Sequence, residues 1–247
     1  MKNDLLLLSK NDIPFTQAQV NIHQPTIKEI SFIGEESFHI GCQFLNFSIN
    51  NLQPKDKVNL ENSSNFEVFM TMMNSKEKAR FKVDALLVLT LLFPEHQVKI
   101  EKDRILLQRQ DGFSSFINNL NYETFKEILS DMFCLNEVTQ EENGYNPADA
   151  LAAKIAEKLK KRQEILSKKS GKNPSKIAVF SRYVSILAVG EHKDINELME
   201  YTVYQLKDEF KRFQLKQDFD CYIKAKLAGA KDLEEVDNWM DDIHPNK

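Results

Sequence analysis

A mainly α, α+β fold is predicted: an N-terminal helical region with a small antiparallel β-meander, then an all-helical C-terminal region. Three observations predict it. Glycine and proline are scarce, at seven each in 247 residues, which favours long helices over a many-turned β architecture. Apolar residues recur at three- and four-residue spacing through most of the chain. Over 97–118 that period shortens to about two.

The elements follow in order. Ile13, Phe15, Val20 and Ile22 alternate with polar neighbours and predict one short strand over 13–22. Pro25 suits the first turn of a helix, with Ile27, Ile30, Phe32 and Ile33 behind it and Gly34 as its stop. A second helix is expected over 35–47, with Phe38, Cys42, Leu45 and Phe44 as its apolar residues. Residues 50–64 are polar and predict a loop. Asn65 is placed as the cap of a helix holding Phe66, Phe69, Met70 and Met73. Another is expected from Lys76 to Phe93, stopped by Pro94. Its middle, Leu86 to Leu89, is apolar on all sides, the mark of a helix buried in the centre of its domain. Val98 and Ile100, Ile105 and Leu107, then Phe113 and Phe116, separated by turn signals at Lys102-Asp103 and Asp111-Gly112, predict a meander of two or three strands. A helix over 122–135 closes this part.

Residues 136–145 are acidic and loop-like, and they divide the chain into an α+β domain (1–135), a linker, and a helical domain (146–247). Asn146-Pro147 signals a helix start, and that helix is expected to reach Lys169. Further helices are expected from Ser175 to Val189 with Gly190 as C-cap, from Asp194 to Lys216, from Asp218 to Gly229, and from Asp232 through Val236, Trp239 and Met240.

Composition excludes several functions. A net charge of −4 argues against a general nucleic-acid coat, which needs a basic face to displace counterions. The three cysteines, Cys42, Cys134 and Cys221, are widely spaced and odd in number, so neither a disulfide framework nor a zinc knuckle is expected. Each is read as a small apolar residue in or near a core. The apolar run Leu5–Leu8 is too short for a signal peptide, and the longest apolar stretch, Ala85 to Phe93, is about half a membrane span. A cytoplasmic protein is expected.

Catalytic signatures are missing as well. The five histidines form no HxH, HExxH or HxxxH spacing, and the acidic C-terminal residues lack the glycine and terminal glutamate of a calcium loop. No phosphate-binding glycine loop and no GxSxG is present. Cys42 and His39 are three residues apart on one helix, without an evident orienting partner. No enzyme activity, cofactor or metal is expected. Two features instead suit binding. Nine lysines and arginines between Lys154 and Lys176 form a basic stripe able to meet phosphates or an acidic partner, with no interleaved aromatic to stack on bases. Aromatic residues cluster in the last quarter, first of all as core, with some available as a partner groove. Trp239 is the sharpest candidate anchor.

Two stretches resemble known proteins. Pro25-Thr26-Ile27-Lys28-Glu29-Ile30, followed by Ile33-Gly34-Glu35, resembles the opening of small phage tail-morphogenesis proteins. Ser181 to Gly190, Tyr201 to Phe213, Ala225 to Ala230 and Asn238-Trp239-Met240 with Ile243-His244 resemble the C-terminal part of tail assembly chaperones and neighbouring tail proteins from phages and prophages of Gram-positive bacteria. The resemblance implies a non-enzymatic tail assembly protein, a chaperone that binds the tape-measure protein during tail morphogenesis in the cytoplasm of the infected host. The alternatives are a structural tail or baseplate subunit of the virion, and a nucleic-acid-binding regulator using the basic helix 154–176. The expected partner is the tape-measure or another tail protein, with self-association also open, and neither a membrane nor nucleic acid is the favoured one. By residue type, Tyr204, Phe210, Phe213 and Trp239 are the candidate contacts, with Lys158, Lys161 and Arg162 steering charge. The chain is longer than an expected small chaperone, through its acidic linker and basic helix.

Overall fold

The computed structural model describes residues 4–51, 63–75, 79–135, 179–230, 233 and 235–241. A short helix, α1 (Asp4–Leu8), leads into β1 (Ile13–Phe15) and β2 (Val20–Ile22). These two strands replace the single strand expected over 13–22. The chain folds back through one turn of 3₁₀ helix (Thr16–Ala18) and Gln19 in the left-handed region, φ 53°. The pairing Ile13↔Ile22 and Phe15↔Val20 then sets all four apolar residues on one buried face.

Helix α2 (Ile27–Ile33) begins at Thr26, whose hydroxyl accepts from the Glu29 amide while the Glu29 carboxylate accepts from the Thr26 amide. This reciprocal pair satisfies two otherwise orphaned donors. Pro25 therefore precedes the cap rather than filling the first turn. Gly34, φ 86°, ends α2 and opens α3 (Glu35–Leu45), a conformation that glycine adopts without strain. Helix α4 (Asn65–Asn74) is capped by Ser64 with Glu67, not by Asn65. Its Phe66, Phe69, Met70 and Met73 are buried, as their spacing predicts.

Helix α5 (Ala79–Leu92) is the central element, with Ala85, Val88, Leu89 and Leu92 completely inaccessible. Helix α3 lies directly against it. At Gly41 a Cβ would sit 2.5 Å from the Asp84 carbonyl oxygen and 2.6 Å from Val88 Cγ2, so the absence of a side chain sets the approach of the two helices. The chain then forms the predicted meander, β3 (His96–Ile100), β4 (Ile105–Arg109) and β5 (Ser114–Ile117), in the order β3-β4-β5. Ile105, Leu107 and Ile117 face the core. In the second turn Asp111 accepts from the Arg109 guanidinium and the Phe113 amide, which hold its carboxyl down at about 2. Helix α6 (Tyr122–Phe133) packs Phe125, Leu129, Met132 and Phe133 inward, and its Tyr122 hydroxyl donates to the Leu45 carbonyl, 2.9 Å. Lys126 is buried too. Its ammonium reaches the Phe47 carbonyl and the Glu123 carboxylate, giving a buried charge its partners.

Three described helices follow: α7 (Phe180–Gly190), α8 (Ile195–Met199) and α9 (Val203–Leu227). The 136–145 boundary and the basic helix expected up to Lys169 lie outside the described residues. Phe180, Val184, Leu187, Leu198, Val203, Tyr204 and Leu206 join the same apolar cluster as the N-terminal helices. Phe38 is a hinge of that contact, with ring centroids 5.0 Å from Phe133 and 5.9 Å from Phe180. Glu35 of α3 accepts from the amides of Val179 and Phe180 at the start of α7, 2.5 and 2.7 Å. Burial alone would raise its pKa, but His39 and those two amides hold the carboxyl below the usual glutamate range.

Here the helix boundaries differ from expectation. One helix over 194–216 and another from Asp218 are replaced by short α8, a break at 200–202, and one 25-residue helix, α9. The break has a tertiary cause. The Tyr201 carbonyl accepts from the Ile27 amide, 2.8 Å, and Thr202 bridges Thr26, so this backbone is held extended. Thr202 then caps α9 in a second reciprocal pair, with Gln205. Gly190 is the last residue of α7 rather than a positive-φ cap. Trp239 and Met240 lie in turns, not in a last helix. Cys42 and Cys134 are buried as expected, but Cys221 is exposed on α9. Among the described residues no helix is long and apolar enough to cross a membrane.

Two outcomes follow from this packing. Gly→Ala inside a helix normally stabilises by about 0.5–1 kcal/mol; Gly41→Ala should instead destabilise by about 1–3 kcal/mol in urea denaturation, because α3 and α5 must separate. Glu35 has a lowered pKa, so its stabilisation is complete above the ordinary glutamate range and lost as pH falls through the native value. Between about pH 5 and pH 3 the wild type should therefore lose more stability than Glu35→Gln, and equal slopes would show that Glu35 does not anchor α7.

Candidate functional site

A cleft forms where α9 leaves the core. Its floor is Phe213, which lies on Gly190: a Cβ there would be 2.5 Å from the ring. That close approach explains the glycine. Leu8 of α1, Tyr201 and Trp239 form the walls around a volume of about 430 Å³, room for a few side chains.

Charged residues ring these apolar groups in pairs. The Lys193 ammonium is held by the Glu209 carboxylate and by the Tyr201 hydroxyl oxygen at 2.9 Å. Burial works against its charge, but these two partners push its pKa up to about 12. Arg212 is 3.3 Å from Asp208, and its guanidinium also donates to the Trp239 carbonyl at 3.2 Å. Lys216 faces Glu191 at 3.8 Å. The cleft is thus an aromatic floor with a rim of balanced charge, a pattern suited to an amphipathic protein segment.

The sequence-predicted contacts fall in four places. Phe213 and Trp239 line the cleft. Phe210 lies beside it, stacked on Tyr183 with centroids 3.8 Å apart. Tyr204 is wholly buried, and its hydroxyl donates to Asp4 at 2.9 Å. It presents no surface to a partner, because the first turn of α9 is the part pressed against α1. Burial and the nearby Asp4 carboxylate raise its pKa well above the tyrosine range. Lys158, Lys161 and Arg162 lie outside the described residues. Sequence reasoning counted Tyr201 only among the clustered aromatics of the last quarter, and it missed Lys193, Glu209 and Arg212. The available signal was the four-residue spacing of Asp208, Arg212 and Lys216 along one side of the helix.

A second, more polar cleft of about 380 Å³ lies at the hairpin and the meander, lined by Asp12, His23, His96, Arg109 and Phe113 among others. His23 bridges Asp12 and Glu29, at 3.0 and 3.3 Å. Burial, and then the Arg109 charge, lower the His96 pKa, which favours a neutral ring there. Among the described residues no group of three or more His, Cys, Asp or Glu could hold a metal ion.

With this geometry in view, residues 169–244 match the family model of the YomV second domain. That family is phage-derived, and the match points to a phage-associated protein. No curated protein and no solved structure matches the chain. The matched span contains α7, α8, α9 and Trp239, so it includes every residue of the first cleft except Leu8.

Trp239 is the sole tryptophan and reports on this cleft directly. Arg212→Ala should release the 235–241 segment and shift tryptophan emission to the red, while changing stability by less than about 1 kcal/mol, as expected for a partly exposed ion pair. An unchanged spectrum would mean that Arg212 does not hold Trp239 in place.

Proposed function

We propose that the protein is a non-enzymatic phage tail assembly factor, a chaperone that binds the tape-measure protein in the infected host's cytoplasm before the tail tube polymerises. The observation that carries this reading is the coincidence of two facts: the phage-family match falls on the same segment that builds the aromatic cleft. The physical logic is simple. A long helix awaiting assembly exposes a periodic apolar stripe. A partner that offers Phe213 and Trp239 beneath a charged rim can cover anchors of that stripe and stay soluble itself. Paired rim charges fix orientation and discriminate against wrong partners more than they add affinity.

A second reading, a structural tail or baseplate subunit, is supported by the same match and differs in its outcome. A chaperone is expected to co-purify with a co-expressed tape-measure fragment and to be missing from finished particles by mass spectrometry; stoichiometric copies in the particle would favour the structural role. Trp239→Ala and Phe213→Ala should each weaken the complex by about 2 kcal/mol, some thirtyfold. Binding that ignores both substitutions would remove this cleft as the docking site.

A further inference from the structure

Helix α9 is longer than its packing requires. Its 25 residues reach roughly 37 Å, yet its buried residues are Val203, Tyr204 and Leu206 in the first turn. Phe210 and Phe213 still pack against the core. Beyond Phe213 no residue of α9 belongs to that core. The distal half nevertheless carries Leu215, Phe219, Tyr222 and Ile223. Spacings of four, three and one put them on one side of the helix. Exposed or half-buried large apolar groups in such a row mark an interaction surface.

The charge pattern identifies the occupant. Asp218 and Lys226 stand four residues before and after Tyr222, one turn away on its own face, whereas Asp220 and Lys224, two residues away, lie on the opposite face. None of the four forms an ion pair among the described residues. Among the described residues the Lys226 ammonium donates to the Tyr222 hydroxyl, 3.3 Å, and lies 5.3 Å from that ring's centroid. The sign of the charge therefore reverses about one residue. Two such helices side by side in opposite directions, crossing at Tyr222, bring each Asp218 level with the other's Lys226. A parallel arrangement would bring like charges level, which repels.

We propose that the distal half of α9 is a self-association surface, on which a second copy of this chain docks its own α9 antiparallel about Tyr222. The arrangement is isologous, with each residue and its counterpart exchanging roles across a two-fold axis. Leu215, Phe219 and Tyr222 supply the apolar contact, and the charge reversal selects direction. The proposal does not depend on the tail-assembly reading, because the proximal cleft and the distal half occupy different lengths of the helix.

Sedimentation equilibrium of the full chain over a concentration series tests it. A monomer–dimer equilibrium is expected, with Phe219→Asp raising the dissociation constant by at least about tenfold while the helical circular dichroism is retained. Asp218→Lys should weaken the homodimer, as should Lys226→Asp; mixing the two variants should restore a dimer, and the chain with both reversals should dimerise again. A monomer at every concentration overturns the proposal. So does a dimer indifferent to these substitutions, and so does a distal α9 that binds only a different protein while the chain stays monomeric.

Discussion

The junction that sets the course of the last described helix is the start of α2 against the start of α9. Thr26 and Thr202 each cap a helix through a reciprocal pair, with Glu29 and Gln205, and the two cap residues are bridged to one another. The Ile27 amide, which no intrahelical carbonyl could serve, donates to the Tyr201 carbonyl. Nearby, Lys28 meets Glu200 at 2.8 Å and the Lys10 ammonium donates to the Glu200 carbonyl. Burial favours a raised Glu29 pKa, yet hydrogen bonds from Thr26 and His23 keep it below the ordinary range, so the cap is ionised and stabilising at neutral pH.

From this junction the functional geometry follows. An extended 200–202 places Tyr201 at the cleft and aims α9 along the end of α7. The helix then passes Gly190, where a missing side chain lets Phe213 settle, and continues past the core. Its proximal length forms the cleft with Trp239, and its distal length presents the apolar row and reversed charges. One helix thus offers two surfaces because only its first turn is buried.

Much of the fold was legible in the sequence because local signals agreed with tertiary packing. The apolar middle of α5 sends Val88 and Leu89 into the core while Leu86 and Leu87 stay half-buried, and the meander follows its two turn signals, down to Gly112 at φ 89°. The failures have a common cause, a tertiary partner far away in the chain. The 194–216 run keeps a helical apolar period across Tyr201 and Thr202, so nothing local marked the break; its cause is Ile27, far upstream. Ser64 and Thr202 did carry capping-box spacing to Glu67 and Gln205, a signal that was readable and overlooked. The hairpin over 13–22 hid in a short apolar alternation, reversed by Gln19 in a left-handed conformation that its residue type does not announce. In the candidate site, residue type picked out Phe213 and Trp239, but it could not separate Tyr204, nine residues before Phe213 on the same helix, from a surface aromatic. Only the position of α1 decides that.

The central claim is that the first turn of α9 and the α2 cap belong to the same cooperative unit as the α5 core. Native-state hydrogen exchange tests this most directly. The amides of Ile27 and Leu206 should open with the same free energy as that of Phe93, which is bonded to the Leu89 carbonyl, while amides of the distal half of α9 exchange far more readily. Ile27 and Leu206 opening well below the Phe93 level would show that α9 is merely appended to the core, and would contradict the account.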